Sequence, residues 1–426
     1  MRLHPILPIL LLASSVDAAT LAGFASLPAS TFVPGPTSGQ FTGGGNGIAT
    51  PFVNQQPVQG VSALLINSDG TYTAMSDNGF GAKGNSADAL LGFFNLSIDF
   101  KTGMGGTGTV TVNSVTRLSD PDGAVNFTKV HELANYPSSA IPVDPAIVAG
   151  SLLTGGDFDL ESFRRMPDGT YWFGEEFGPF LIHTDANGKV LDEPVALPGV
   201  QSPQSPFLGG GTANLPGSRG FEGMALGIDG KTLYPMLEGP LTTDTNRNRL
   251  IINEFDSTTG AYTGKQWFYR MENTFESGQA IGDFTAVNAT QFLVIERDGG
   301  QGASALFKKV YLIDLSVIDA DGFVQKTEIV DLLNILDPLD LDGDGNNTFR
   351  FPFVTIESVA IVNANTLLIA NDNNFPFSNG RTPGVADNNE FILLTLPNSL
   401  RVVPEPSTWM LGLAGLGALA LFRRRR

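Results

Sequence analysis

In the stretch FEGMALGIDGKTLYPMLEGPL, Glu222 and Glu238 stand sixteen residues apart, with mostly apolar residues and a turn at Gly230 between them. The layout recurs. Glu161 and Glu176 bracket SFRRMPDGTYWFGE, Glu357 and Asp372 bracket SVAIVNANTLLIAN, Asp283 precedes Glu296 and Asp298, and Ser62 precedes Asp77. One such acid pair is most simply two turn caps or two solvated side chains. Four or five pairs in register predict convergence. Crowded carboxylates cannot all stay ionised unless a cation intervenes, and hard oxygen donors suit calcium or magnesium. Glu161, Glu176, Glu222, Glu238, Glu296, Glu357 and Asp372 are the expected ligands, and calcium is the expected ion. Arg219, Arg297 and Arg381 lie next to these hairpin ends. Guanidinium groups there suit a phosphate ester, although a salt bridge to a neighbouring acid explains each equally well. Arg297 has the strongest case, because it follows an inner-strand pattern. Arg297 and Glu222 are the expected catalytic residues, with Arg219 and Arg381 beside Arg297 as substrate-binding groups.

A second acidic feature is DPLDLDGDGNN, in which Asp340, Asp342, Asp344 and Gly345 spell a D-x-D-x-D-G calcium loop. Phe351 stands where a full EF-hand loop needs glutamate. A structural calcium site is expected there. Other chemistries find little support. The chain has no cysteine and only three histidines, so thiolate chemistry is excluded and a zinc site is disfavoured. There is no G-x-S-x-G elbow, and GGGNG at 43–47 lacks the lysine of a phosphate loop.

These residues need elements that hold them at one end. Each acid pair brackets two strand-like runs joined by a turn, followed by two further strand-like segments. The first members fall at positions 62, 161, 222, 283 and 357. Repetition at tens of residues signals a solenoid, propeller or array, and a four-stranded unit repeated about an axis is a propeller blade. The expected fold is all-β: a propeller of five to six four-stranded blades around a central channel, the long first interval leaving room for a degenerate blade. The innermost hairpin of each blade then opens at the same mouth. Fifty glycines among 426 residues fit a turn-rich all-β chain. A formal charge of −18 argues against nucleic acid or anionic lipid as partner.

Both ends read as addresses. Met1 to Ala18 has a basic start, an apolar run and a small-residue cleavage site. At the other end, Pro404-Glu405-Pro406, an apolar stretch from Trp409 to Phe422 and four arginines resemble the PEP-CTERM sorting signal. That resemblance implies a transient inner-membrane helix, processing by an exosortase, and delivery to the cell surface, outer membrane or extracellular matrix of a Gram-negative bacterium. The expected organisation is a signal peptide over 1–18, one propeller domain over 19–400 and a sorting segment over 401–426.

The segments ESFRRMPDGTYWFGEEFGP, GFEGMALGIDGKTLY, FLVIERD and IESVAIVNANTLLIANDNNF resemble the phytase-like family, described as having esterase-like activity. The resemblance spans roughly 57–396. It implies a β-propeller related to calcium-dependent phytases, with metals in an acidic channel mouth, and it places Glu161, Glu176, Glu222, Glu296, Glu357 and Asp372 on the family pattern. Ser62 departs from that pattern in the first unit. The expected function is an exported calcium-dependent phosphoesterase acting on a small phosphate ester. A calcium-stabilised matrix scaffold and a calcium-dependent lactonase or esterase are the alternatives. Cationic groups at the mouth would favour the first, an apolar pocket the lactonase, and neither the scaffold.

Overall fold

The structure, a computed structural model, describes residues 18–402. The expected export signal, apart from Ala18, and the apolar C-terminal segment with its arginines lie outside that range. Among the described residues, no helix is long and apolar enough to cross a membrane.

The described chain is almost entirely strands and turns. The first sheet takes Val61–Ile66, Tyr72–Ser76, Gly92–Asp99 and Thr109–Arg117; the second takes Leu160–Arg165, Tyr171–Glu175, Phe180–Thr184 and Val195–Ala196. The third takes Gly223–Leu226, Thr232–Met236, Arg249–Asp256 and Ala261–Arg270; the fourth takes Ala280–Ala286, Gln291–Arg297, Lys308–Ile318 and Val324–Asp331. The fifth takes Ser358–Asn363, Thr366–Ala370 and Asn389–Thr395, and its outermost strand, Thr20–Leu27, comes from the opposite end of the chain. A parallel bridge between Ser26 and Thr109 links the fifth sheet to the first.

The first strand of each sheet packs on the first strand of the next, and Ser358–Asn363 returns to pack on Val61–Ile66. The arrangement is all-β and propeller-like. Burial follows position. Third strands such as Arg249–Asp256 are covered on both faces, whereas the outer strand Thr109–Arg117 is mostly exposed threonine, asparagine and serine with valine. Wedges of aromatic rings fill the space between sheets, as Phe93, Phe163, Tyr171 and Phe173 do between the first and second.

The inner hairpins form for a local reason. Each turn carries an aspartate or asparagine whose side chain accepts an N–H two residues on: Asp69 from Thr71, Asp168 from Thr170, Asp229 from Lys231, Asn288 from Thr290 and Asn363 from Asn365. In the first three a glycine follows with positive φ, for example +88° at Gly169. Side chains also tie the inner strands together. Arg164 of the second sheet donates to Asp283 of the fourth at 3.0 Å and to the Phe284 carbonyl at 2.7 Å, and Asp283 accepts the Val359 N–H of the fifth at 2.8 Å. Approach there is close enough that a Cβ on Gly282 would lie 1.9 Å from the Ile356 carbonyl oxygen. Gly282→Ala is expected to cost about 1–3 kcal/mol, read as a lower urea midpoint. An unchanged midpoint would show that the strands have room to part.

Candidate active site

Acids gather where the inner hairpins open. Glu161 sits at a register shift between Leu160 and Ser162, a bulge that frees it from the ladder and re-aims its side chain. Glu222 and Glu357 each stand one residue ahead of their strands, while Glu176, Glu238, Asp372 and Asp77 lie just past the ends of theirs. Asp159, Glu161 and Glu176 bring carboxylate oxygens within 4.8 Å of one another, as do Glu161, Glu222 and Glu357, and Glu176, Glu222 and Glu238. Asp77 and Asp372 border the same cluster. A Cβ on Gly60 would meet Asp77 Oδ1 at 2.4 Å and Asp372 Oδ1 at 3.6 Å, so the chain passes there only as glycine.

The cluster divides by charge. Arg297 Nη2 lies 3.0 Å from Glu238, 3.4 Å from Glu357 and 3.6 Å from Glu222, and Arg219 Nη1 lies 2.6 Å from Glu238. Among the described residues, Asp77, Asp159, Glu161, Glu176 and Asp372 have no ion-pair partner. Several oxygens are stranded: Asp159 Oδ1, Glu176 Oε1, Glu222 Oε1 and Glu357 Oε2 are buried without a hydrogen-bond donor. Burial first, then neighbouring carboxylates, hold Glu161, Glu176, Glu222 and Asp77 well above the usual acid range. Burial likewise pushes Asp159 and Asp372 up to about 6 and Glu357 to about 8. Buried acceptors without donors, crowded by like charge, are what a hard cation relieves. The donor set, all carboxylate oxygen, fits a hard divalent cation.

Two residues expected at the mouth, Glu296 and Arg381, lie elsewhere. Glu296 is buried between the third and fourth sheets, bound by Tyr269 Oη and Lys326 Nζ at 2.5 Å each and by Gln279 Nε2 at 3.0 Å. The cause is register. In the fourth sheet the inner pair stays in its ladder through Ala280 and Arg297, so alternation turns Glu296 away and turns Arg297 into the mouth. Asp298 instead pairs with Lys308 and caps the Leu306 and Phe307 N–H groups. Arg381 is bound to both oxygens of Glu390 at 2.7 and 2.5 Å and lies over the Phe349 and Phe353 rings, so it is a packing group rather than part of the mouth. In the acidic loop, Asp340 and Asp342 converge with Asp337, while Asp344 turns to Asn346.

Acids at the cluster that the expected set left out are Asp77 and Asp159. The signal for Asp159 was the alternation of Asp157, Asp159 and Glu161 in GGDFDLES, which places acids on one side of an extended segment. Asp157 turns out to cap the Val130 and Thr154 N–H groups. Lys83 was also missed. Its ammonium lies 4.9 Å from the centre of the Phe177 ring, burial lowers its pKa, and Asp159 is among the acids opposing that shift.

A family model described as Phytase-like, "Esterase-like activity of phytase", matches residues 56–375, and a PEP-CTERM protein-sorting motif matches residues 402–426. An uncharacterized secreted protein of Arthroderma benhamiae is 22% identical over 301 residues, covering 57% of this chain and 58% of the relative. The match thus spans little more than half the relative's length. Among solved structures, the calcium-binding protein regucalcin from Agrobacterium tumefaciens is 14% identical, with 91% and 97% of the two chains covered and a TM-score of 0.34. Virginiamycin B lyase from Staphylococcus aureus is 13% identical, with 88% and 95% covered and a TM-score of 0.33. Likeness at that level extends to neither residue roles nor activity. With well over half of its length matched by one family model and a sorting motif after it, the chain is an exported member of the Phytase-like family.

Proposed function

We propose that the protein is an exported, calcium-dependent phosphoesterase working at the channel mouth of a five-bladed propeller. The five inner strands that pack in a cycle support the blade count. One observation supports the chemistry above the rest: two guanidinium groups stand against a carboxylate cluster whose other half forms no ion pair among the described residues. Asp159, Glu161 and Glu176 hold the cation in this reading, with Asp77 and Asp372 beside them. A calcium ion supplies charge neutralisation to a phosphate and acidity to a bound water. Arg297 and Arg219 orient the anionic ester. Glu222 belongs to two of the acid triads and has an oxygen that accepts no hydrogen bond, which suits it to accept the proton of the attacking water. A carboxylic ester or lactone carries no negative charge for two arginines to meet.

Glu222→Gln keeps the shape and removes the base. Hydrolysis of p-nitrophenyl phosphate in calcium is expected to fall about 100-fold or more, with the fold retained by circular dichroism. Full activity in the variant would remove Glu222 from the mechanism. Wild-type turnover of p-nitrophenyl acetate or a lactone, with none of the phosphate, would transfer the site to carboxylic esters.

The ends fit the same reading. The domain over 19–400 sits between a signal segment cleaved near Ala18 and a tail trimmed by an exosortase, which leaves the propeller at the cell surface or in the matrix. The sorting motif at 402–426 supports this.

A further inference from the structure

The loop after Asp337 lies away from the mouth. Leu336 donates its N–H to the Ala19 carbonyl at 2.9 Å and pairs with Thr20, so the loop leaves from the outer edge of strand Thr20–Leu27. All four strands of the fifth sheet separate that edge from the channel. Asp337 is fully buried. Its Oδ2 accepts the Leu341 N–H at 2.7 Å, whereas its Oδ1 is buried with no hydrogen-bond partner. Asp337, Asp340 and Asp342 each bring a carboxylate oxygen within 4.8 Å of the others. Among the described residues, none of the three forms an ion pair. The nearby Lys101 ammonium reaches only the backbone carbonyl of Asp340, at 3.4 Å.

A solvated acidic turn needs no explanation. A buried carboxylate oxygen with no donor does, because an unpaired buried charge costs several kcal/mol. We propose that Asp337, Asp340 and Asp342 hold a second, structural cation, with calcium the ion that fits. The set is all oxygen, and two of its three members are partly open to solvent, which leaves room for the water ligands that calcium accepts in its flexible coordination. The cation's work is mechanical. Asp337 opens the loop that joins the two strands of the hairpin, Ile335–Leu336 and Thr348–Phe349, and that hairpin covers the strand that completes the fifth sheet. Binding there pins the loop against that strand.

Calcium titration calorimetry and hydrogen exchange on the exported protein test the site, with Asp337→Asn, Asp342→Asn and the mouth variant Glu176→Gln compared. Asp337→Asn keeps an acceptor for Leu341 and removes the charge. The wild type is expected to bind at the loop and at the mouth. Either loop variant should lose one ion and keep the mouth response, and Glu176→Gln should do the reverse. Calcium should slow exchange at Leu336 and Asp337 about tenfold or more in the wild type and in Glu176→Gln, but not in the loop variants. Asp342→Asn carries the test if Asp337→Asn does not fold. Unchanged stoichiometry in the loop variants, or calcium-independent exchange at Leu336, overturns the loop site whatever the mouth does. A loop response that persists while Glu176→Gln changes nothing counts against the mouth alone.

Discussion

Arg297→Met is expected to lower folding stability by about 3–5 kcal/mol in chelator above pH 8, where Glu357 is ionised, because it removes the shared partner of three buried acids. The side chain sits among Glu222, Glu238 and Glu357 at 3.0 to 3.6 Å and is almost fully buried. Methionine fills much of the same space, so packing contributes little of the loss. Glu238 retains Arg219, but Glu222 and Glu357 have no other ion-pair partner among the described residues. Calcium should restore part of the stability by standing in for the lost charge, without restoring hydrolysis. Urea unfolding of both proteins, with chelator and with millimolar calcium, measures this. A loss under about 1 kcal/mol in chelator would mean that these acids are neutral in the metal-free fold and need no arginine.

The second large effect is that of calcium itself. An ion that binds the folded state alone stabilises it by about 2.7 kcal/mol at a hundred times its dissociation constant. The effect should depend on pH. Asp159, Asp372 and Glu357 have folded pKa values of about 6, 6 and 8, above their ordinary values. The metal-free folded state therefore holds more protons than the unfolded chain between about pH 4 and pH 8. Its stability should fall as pH rises through that window. Calcium, which competes with those protons, should stabilise more at pH 8 than at pH 5. Melting curves at the two pH values with and without chelator read both effects. A metal-free protein that gains stability from pH 5 to pH 8 would contradict the like-charge account of the mouth. A melting temperature indifferent to calcium at both pH values would remove the metal.

The hairpins were legible because their determinants are local. An aspartate or asparagine turn between two apolar runs is written in a dozen residues, and five copies in register imply a common axis. The same register made most of the acid cluster readable, since residues just outside paired strand ends share one face. Glu296 was misread because its orientation depends on where pairing stops. The two-residue irregularity between Ile281 and Phe284, which lets the fourth hairpin stay paired longer, has no signature in the sequence. Arg381 was placed by proximity in the chain, whereas its partner Glu390 is set by how the loop folds back. Asp337 lies ahead of the D-x-D-x-D-G motif and joins Asp340 and Asp342 only through the loop's own turn, so the motif alone pointed to Asp344. The partner of Thr20–Leu27 was the least accessible feature, because Asn389–Thr395 is far along the chain.

That last pairing sets a clock on folding. Thr20 is among the earliest parts of the folded domain to be made, and it must wait for Thr395 before its ladder forms. Contacts of such long range are slow to make. The carboxylates of the mouth come from four inner hairpins, so they meet only when the circle is complete. A chain still incomplete has strand edges without neighbours and no assembled acid cluster. Assembly of the acid cluster is thereby deferred until nearly the whole domain has been made.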